Sequence, residues 1–157
     1  MRIYIKGYHK IIELISYVLV LASLVLAIVG MAVIKNDVPI HYNLAGEADG
    51  YGSFGALIIF PIVMLFTNAI VSLLMRFAGT NMVNLPFRIR EDAMPLAMNL
   101  TVLMLVLTML DFSVMSLVMV IMSFFALNAG PVIFLIVIIL SIQTVAIISY
   151  MGKKCKA

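Results

Sequence analysis

Residues 11–34 read IIELISYVLVLASLVLAIVGMAVI, and Glu13 is the only charged side chain in this run of 24 residues. In a helix, about 20 apolar residues with a rise of about 1.5 Å each cross the hydrocarbon core of a bilayer. The run is longer than the apolar region of a cleaved signal peptide, and no convincing small-residue cleavage site accompanies it. It therefore predicts a membrane-spanning helix that is retained as a signal anchor.

Three further apolar runs follow, over residues 56–77, 96–125 and 132–151, and each is long enough to span a bilayer once. The third is long enough to tilt or to extend past the interface. Of the 157 residues, 65% are hydrophobic and 11% are charged, whereas a soluble domain is about half apolar and a quarter charged. The sequence predicts an all-α membrane protein with one domain, residues 1–157, and four transmembrane helices. A compact extracytoplasmic loop, residues 35–55, is expected between the first two.

The basic residues predict an orientation for these four spans. Nine of the ten fall on one side of the membrane, and Lys35 is alone on the other. Because Lys and Arg accumulate in cytoplasmic loops, we expect a multi-pass protein of the plasma membrane with both termini in the cytoplasm. The charges gather at helix ends and not in one patch, so nucleic acid is not an expected partner. The nine residues are Arg2, Lys6, Lys10, Arg76, Arg88, Arg90, Lys153, Lys154 and Lys156.

The loop between the first two spans reads VPIHYNLAGEADGYGS over residues 38–53. Pro39 ends any preceding helix, and the residues after it alternate between apolar and polar, as in a short strand. Ser53 is placed to cap the second membrane helix. The glycines and an Asp-Gly pair are typical of turns and predict an ordered cap instead of a flexible connector. These turn residues are Gly46, Asp49-Gly50 and Gly52.

Several loop side chains can hydrogen-bond a ligand or coordinate a cation. Their spacing matches neither a zinc finger nor a calcium-binding EF-hand loop, so metal binding stays open. In a purely structural alternative, the Asn, the Asp and the glycines fix turns, and the His caps a backbone group. No nucleophile accompanies the acids, so we expect neither an enzyme nor a cofactor. The candidate ligand-binding set is His41, Asn43, Glu47, Asp49 and Tyr51.

Residues 39–53 follow the pattern Pro-x-His-aromatic-Asn-x-x-Gly-Glu-x-Asp-Gly-Tyr-Gly-Ser. This pattern resembles a membrane domain of unknown function found at the N-terminal end of SdpI-type (SdpI/YfhL-like) toxin-immunity membrane proteins. The resemblance implies a small bacterial membrane protein that protects a cell from its own peptide toxin, or a receptor that sequesters a repressor at the membrane. The chain departs from that pattern at Ala48 and Phe54, where Pro and Lys are common. These 157 residues also lack the C-terminal SdpI module with its Asn…Gly-Ile-Arg-Thr motif.

The third span carries an acid, Asp111, near its middle. A charge at that depth costs about 2.5–3.5 kcal/mol on insertion scales, so we expect Asp111 to face the bundle, close to Asn68 or Gln143. At 100° per residue it falls on one polar and sulfur-rich stripe. This stripe is either a proton or cation site, with sulfur suited to copper(I), or a packing surface. Its members are Thr101, Met104, Thr108, Asp111, Met115, Met119 and Met122.

Three functions remain open from the sequence. The leading hypothesis is a receptor- or immunity-like protein that binds an extracellular peptide or another envelope ligand through its outer loop. A cytoplasmic repressor or a membrane protein is then a further partner, and residues 88–92 offer a docking segment. The alternative is a small transporter or accessory subunit that uses Asp111 and the Met stripe. An envelope enzyme built on His41, Glu47 and Asp49 is the least expected.

Overall fold

The computed structural model describes residues 5–43, 45, 47–77, 84–85, 87–125, 127–128 and 130–157. This part of the chain contains four helices that are long and apolar enough to cross a membrane, in agreement with the predicted number of long apolar helices. They are α1 (Gly7–Val33), α2 (Ile59–Phe77), α3 (Met94–Phe124) and α4 (Gly130–Cys155). Between α1 and α2, strands β1 (Val38–Tyr42) and β2 (Ala48–Gly52) form an antiparallel hairpin. Single 3-10 turns, Phe54–Ile58 and Glu91–Ala93, lead into α2 and α3.

The first and fourth helices extend beyond their apolar runs, whereas α2 and α3 end within one residue of the predicted ends. α1 begins at Gly7, four residues before the predicted start, and α4 continues to Cys155, four residues past the predicted end. Backbone hydrogen bonding extends a helix through polar turns that water or headgroups can solvate, so hydropathy underestimates its length. At the C-terminal end of α4, Lys153 and Lys154 lie in the last turn, where cations favour the negative end of the helix dipole.

α3 is the central helix and contacts each of the other three. α1 and α2 pack on it and on each other, whereas α4 packs chiefly on α3. Only Gly130, Met151 and Cys155 are buried in α4, and its many large apolar side chains are exposed. An apolar surface of this size on a membrane-spanning helix is the surface that lipid chains would cover.

α1 and α3 meet along two rows of buried side chains with alternating spacings of four and three residues. That average of about 3.5 residues is the repeat of left-handed helix packing, and small residues at such seams let membrane helices approach closely. At the middle of the seam, the hydroxyls of Ser23 and Ser116 lie 2.9 Å apart. The row on α1 is His9, Glu13, Ser16, Val20, Ser23, Ala27 and Gly30. The row on α3 is Val102, Val106, Met109, Ser113, Ser116, Val120 and Ser123.

The hairpin is attached to one end of this bundle. Val38 is buried in an apolar cluster with Phe54 and residues of α1 and α3, and Ile40 packs against the same cluster. The Ser123 hydroxyl donates a hydrogen bond of 3.1 Å to the Pro39 carbonyl. The Phe54 ring lies against Gly30, where an added Cβ would come within 2.2 Å of it. The segment after Pro39 is therefore a strand, as predicted, and it is docked on the helix ends.

Candidate functional site

Asn43 builds the turn of the hairpin. Its side-chain Oδ1 accepts hydrogen bonds from the backbone N–H groups of Ala45 (2.9 Å) and Glu47 (3.0 Å). Its own backbone N–H donates to the Glu47 carbonyl at 2.9 Å. An Asn side chain that replaces backbone partners in this way stabilises a reversal without a long loop. The expectation that Asn43 fixes a turn is confirmed, while Gly46 lies outside the described residues.

The prediction of a tight reversal at Asp49-Gly50 is wrong, because both residues lie in β2. Gly50 pairs with His41 across the hairpin, and an added Cβ at Gly50 would lie 2.8 Å from the His41 Cβ. At Gly52 an added Cβ would lie 2.7 Å from Ile40 Cδ1. Neither glycine has the left-handed φ that a turn would require. Gly50 and Gly52 allow the two strands to approach closely, because neither has a side chain that would collide with β1. The turn of the hairpin is made by Asn43.

His41 and Asp49 face each other across the two strands. The His41 Nδ1 lies 2.5 Å from Asp49 Oδ1, and the two side chains are 72% and 43% exposed. The prediction that His41 caps a backbone group is therefore replaced by a cross-strand pair, which contributes little to stability at such exposure. Ser53 also departs from its predicted role. It occupies the N-cap position of the 3-10 turn, but its hydroxyl makes no capping hydrogen bond.

The hairpin has two chemically different faces. Alternate side chains of a strand point to opposite sides, so Val38 and Ile40 reach the bundle while His41 and Tyr51 are exposed. The exposed face, here called the hairpin surface, presents an imidazole, two carboxylates and a phenol ring. Tyr51 is 63% exposed. The hairpin surface consists of His41, Glu47, Asp49 and Tyr51.

The hairpin surface can hydrogen-bond a ligand and stack on it. Throughout the described ranges, no group of three His, Cys, Asp or Glu side chains is arranged to hold a metal ion. The His41–Asp49 pair supplies two such ligands at most. Next to the hairpin lies an open apolar cavity of about 320 Å³ between α2 and α3, whose lining includes Ile40, Phe60 and Met119. A polar surface beside an apolar groove suits an amphipathic ligand.

Asp111 has one of its two expected partners. The Gln143 side-chain amide of α4 donates a hydrogen bond to the Asp111 carboxylate, as expected from their similar depth. Asn68 does not join them, because its amide donates to the Ser113 hydroxyl at 3.0 Å. Asp111 and Ser113 are two residues apart and so lie about 200° apart around α3. Asp111, Asn68 and Gln143 thus take part in two separate helix-to-helix links instead of one cluster.

The sulfur-rich stripe of α3 lies beside the main seam. Met104 and Met115 are half-buried, whereas the fully buried row that faces α1 consists of serines, valines and Met109. The hydroxyls of Thr101 and Thr108 both donate at 2.9 Å to carbonyls one turn earlier in their own helix. Because each hydroxyl already donates its proton within α3, neither is available to donate a hydrogen bond to an ion or a water molecule that crosses the protein.

The sequence patterns did not predict an ion pair between α1 and α2, in which Glu13 is buried and Arg76 is 45% exposed. The guanidinium of Arg76 donates to both carboxylate oxygens of Glu13, at 2.8 and 3.0 Å. Ser72 donates to the same carboxylate at 2.5 Å, and Tyr17 donates to Ser72 at 3.0 Å. The Glu13 side chain is only 6% exposed. Glu13 with Tyr17, and Ser72 with Arg76, are each spaced i,i+4 on one helix face, and this spacing was the available signal.

Comparison with known proteins adds one match. No curated protein and no solved structure matches the chain. The matching family model is described as a domain of unknown function, DUF1648, and it covers residues 18–65. Those residues run from within α1, through the hairpin, to within α2. The family match therefore contains the entire hairpin surface.

Proposed function

We propose that this protein is a non-enzymatic, receptor- or immunity-like membrane protein that binds an extracellular peptide or another envelope ligand through its hairpin surface. The observation that supports this proposal is that the hairpin has one face docked on the bundle and one exposed polar face. Its inner face is docked on the bundle through Val38 and Pro39, which holds the exposed side chains in fixed positions. Preorganised binding groups lose less conformational entropy when a ligand binds.

The charge distribution supports an outward-facing hairpin. Arg76 lies at the end of α2, Arg88 and Arg90 precede α3, and two lysines lie in the last turn of α4. All of these positions are at the end of the bundle opposite the hairpin. Because cytoplasmic segments are enriched in Lys and Arg, that end belongs in the cytoplasm. A repressor or membrane partner would meet the protein there.

An amphipathic peptide is the ligand that fits the surface best. Glu47 and Asp49 favour basic groups, Tyr51 offers a ring for stacking or cation–π contact, and the apolar cavity beside Ile40 can hold a nonpolar side chain. A small transporter or accessory subunit built on Asp111 is the second candidate. The half-buried carboxylate within a span favours it, but the Gln143 hydrogen bond already gives Asp111 a role in joining α3 to α4.

Selection from a displayed random-peptide library against the protein in lipid nanodiscs tests the proposal. Selected peptides are then measured against Tyr51→Ala, Asp49→Asn and the control Phe66→Ala. Phe66 is a ring on the surface of α2 that lipid would cover, outside the hairpin surface, and so controls for the loss of an aromatic side chain elsewhere. We expect each hairpin variant to weaken binding by about tenfold, which corresponds to about 1.4 kcal/mol, and the control to leave it unchanged. Peptides that bind both hairpin variants as tightly as the wild type would contradict the proposal.

A further inference from the structure

The chain segment before α3 pairs with the tail after α4. The Arg90 N–H donates to the Cys155 carbonyl at 2.9 Å, and the Ala157 N–H donates to the Arg88 carbonyl at 3.0 Å. Between these two bonds, Ile89 and Lys156 are opposite each other in an antiparallel bridge. Residues 88–90 and 153–157 are here called the basic clasp. The two segments are far apart in sequence, so only the fold brings them together.

Apolar packing holds the clasp to the end of the bundle. Cys155 is fully buried in a cluster with Met151 and Ala97, and Phe87 and Ile89 pack against that cluster. The side chain of Arg90 also donates to the Lys154 carbonyl at 3.4 Å. The backbone of the clasp is therefore fixed relative to α3 and α4, and it is not a free tail.

The basic clasp contains five exposed cations, and few acidic side chains lie close enough to pair with them. Of its five cations, Arg90 is paired with Asp92 at 3.3 Å. Across the described residues, which include every acidic residue of the chain, the other four have no acidic partner within salt-bridge distance. Glu91 is the only other acid in the neighbouring 3-10 turn. The five exposed cations are Arg88, Arg90, Lys153, Lys154 and Lys156.

We propose that the basic clasp is a binding site for the phosphate headgroups of anionic phospholipids. α4 ends within the clasp, and α3 begins four residues after Arg90, so its cations lie where two membrane spans leave the hydrocarbon core. A cluster of four to eight basic residues in that position is attracted to anionic lipid. Arg also binds phosphate in a two-pronged geometry. Because paired backbones fix the two segments, the cations act as one site and not as separate charges that only set topology.

The test uses the full-length protein in nanodiscs of phosphatidylcholine with an increasing share of phosphatidylglycerol. Native mass spectrometry measures the retained lipid, and thermal unfolding measures the stabilisation. The clasp variant is Arg88→Gln/Lys154→Gln/Lys156→Gln. The control, Lys6→Gln/Lys10→Gln/Lys35→Gln, removes the same charge elsewhere. Equal unfolding temperatures in pure phosphatidylcholine establish that both variants fold.

We expect the wild type and the control to prefer phosphatidylglycerol and the clasp variant to lose that preference, by about fivefold for each cation removed. High salt should reduce the wild-type preference, because it screens exposed charges, and inorganic phosphate alone should not reproduce the stabilisation. An equal preference in the clasp variant and the wild type, or an equal loss in the control, would overturn the proposal. Saturable binding of polyglutamate without lipid preference would instead assign the clasp to an acidic protein.

Discussion

At the scale of single residues, Glu13 and Arg76 form an ion pair with two hydrogen bonds between α1 and α2. Replacing Glu13 leaves Arg76, which is 45% exposed, without its ionic partner, and the loss of hydrogen bonds to a charged group costs about 1–3 kcal/mol. We therefore predict that Glu13→Gln lowers the unfolding free energy in detergent by about that amount. Lys35→Gln, an exposed change just after the end of α1, serves as the control and should have little effect.

The double variant Glu13→Gln/Arg76→Gln separates an ion pair from general disruption. Since it removes both charges, it should be more stable than the sum of the two single changes implies. Strictly additive losses would show that the two residues act independently and would contradict the observed geometry.

Single residues were the part of the structure that sequence patterns predicted least well. The turn at Asn43 is predictable from the sequence, because an Asn side chain accepts hydrogen bonds from N–H groups close to it in the chain. The Glu13–Arg76 pair joins helices that are distant in sequence, and a pattern within one helix cannot show which partner faces it. The Asp-Gly pair predicts a turn at Gly50, because Asp-Gly is typical of turns, yet Gly50 lies in β2 and makes room for His41.

At the scale of elements, α1 packs closely against the 3-10 turn Phe54–Ile58 at the hairpin end of the bundle. A Cβ at Gly30 would collide with the Phe54 ring, so Gly30→Ala should destabilise the protein by about 1–3 kcal/mol through overpacking. Gly7 is the matched control, because nothing lies within 4 Å of a Cβ added there. Thermal unfolding of Gly30→Ala, Gly7→Ala and Gly30→Ala/Phe54→Leu measures the effect. A loss at Gly30 that the smaller Leu side chain fails to relieve would argue against this contact.

The α3–α4 contact gives a second prediction at this scale. If Asp111 serves mainly to join the helices, Asp111→Asn retains the hydrogen bond with Gln143 and the fold. Asp111→Leu should lose about 0.6–2 kcal/mol, the range measured for hydrogen bonds between membrane helices. Unfolding in detergent compares the two variants. Greater stability of the Leu variant than of the Asn variant would contradict this role.

The helices were predictable as elements, but their packing faces were not. Apolar runs longer than a bilayer is thick leave little alternative to a spanning helix. In a membrane bundle, however, large apolar side chains face lipid and small or polar ones face other helices. The stripe of α3 that contains Asp111 and the methionines therefore lies beside the surface of α3 that packs on α1. The seven-residue spacing of Ser16 and Ser23 on α1, and of Ser116 and Ser123 on α3, marks that seam.

At the scale of the whole molecule, the two ends of the bundle differ in chemistry. One end carries the hairpin surface with its exposed acids and Tyr51, and the other carries the basic clasp. The charge pattern predicts which end faces the cytoplasm, and the helix count fits that arrangement, since four spans place both termini on the same side. The proposed ligand site and lipid site then lie on opposite sides of the membrane.

Site-directed labelling of intact cells with a membrane-impermeant maleimide tests this arrangement most directly. Ala45→Cys and Lys153→Cys are compared in a Cys155→Ala background, because both positions are exposed and lie at opposite ends of the bundle. We predict that Ala45→Cys is labelled from outside, and that Lys153→Cys is labelled only after the membrane is permeabilised. Labelling of Lys153→Cys but not of Ala45→Cys in intact cells would place the hairpin in the cytoplasm and contradict a receptor for extracellular ligands.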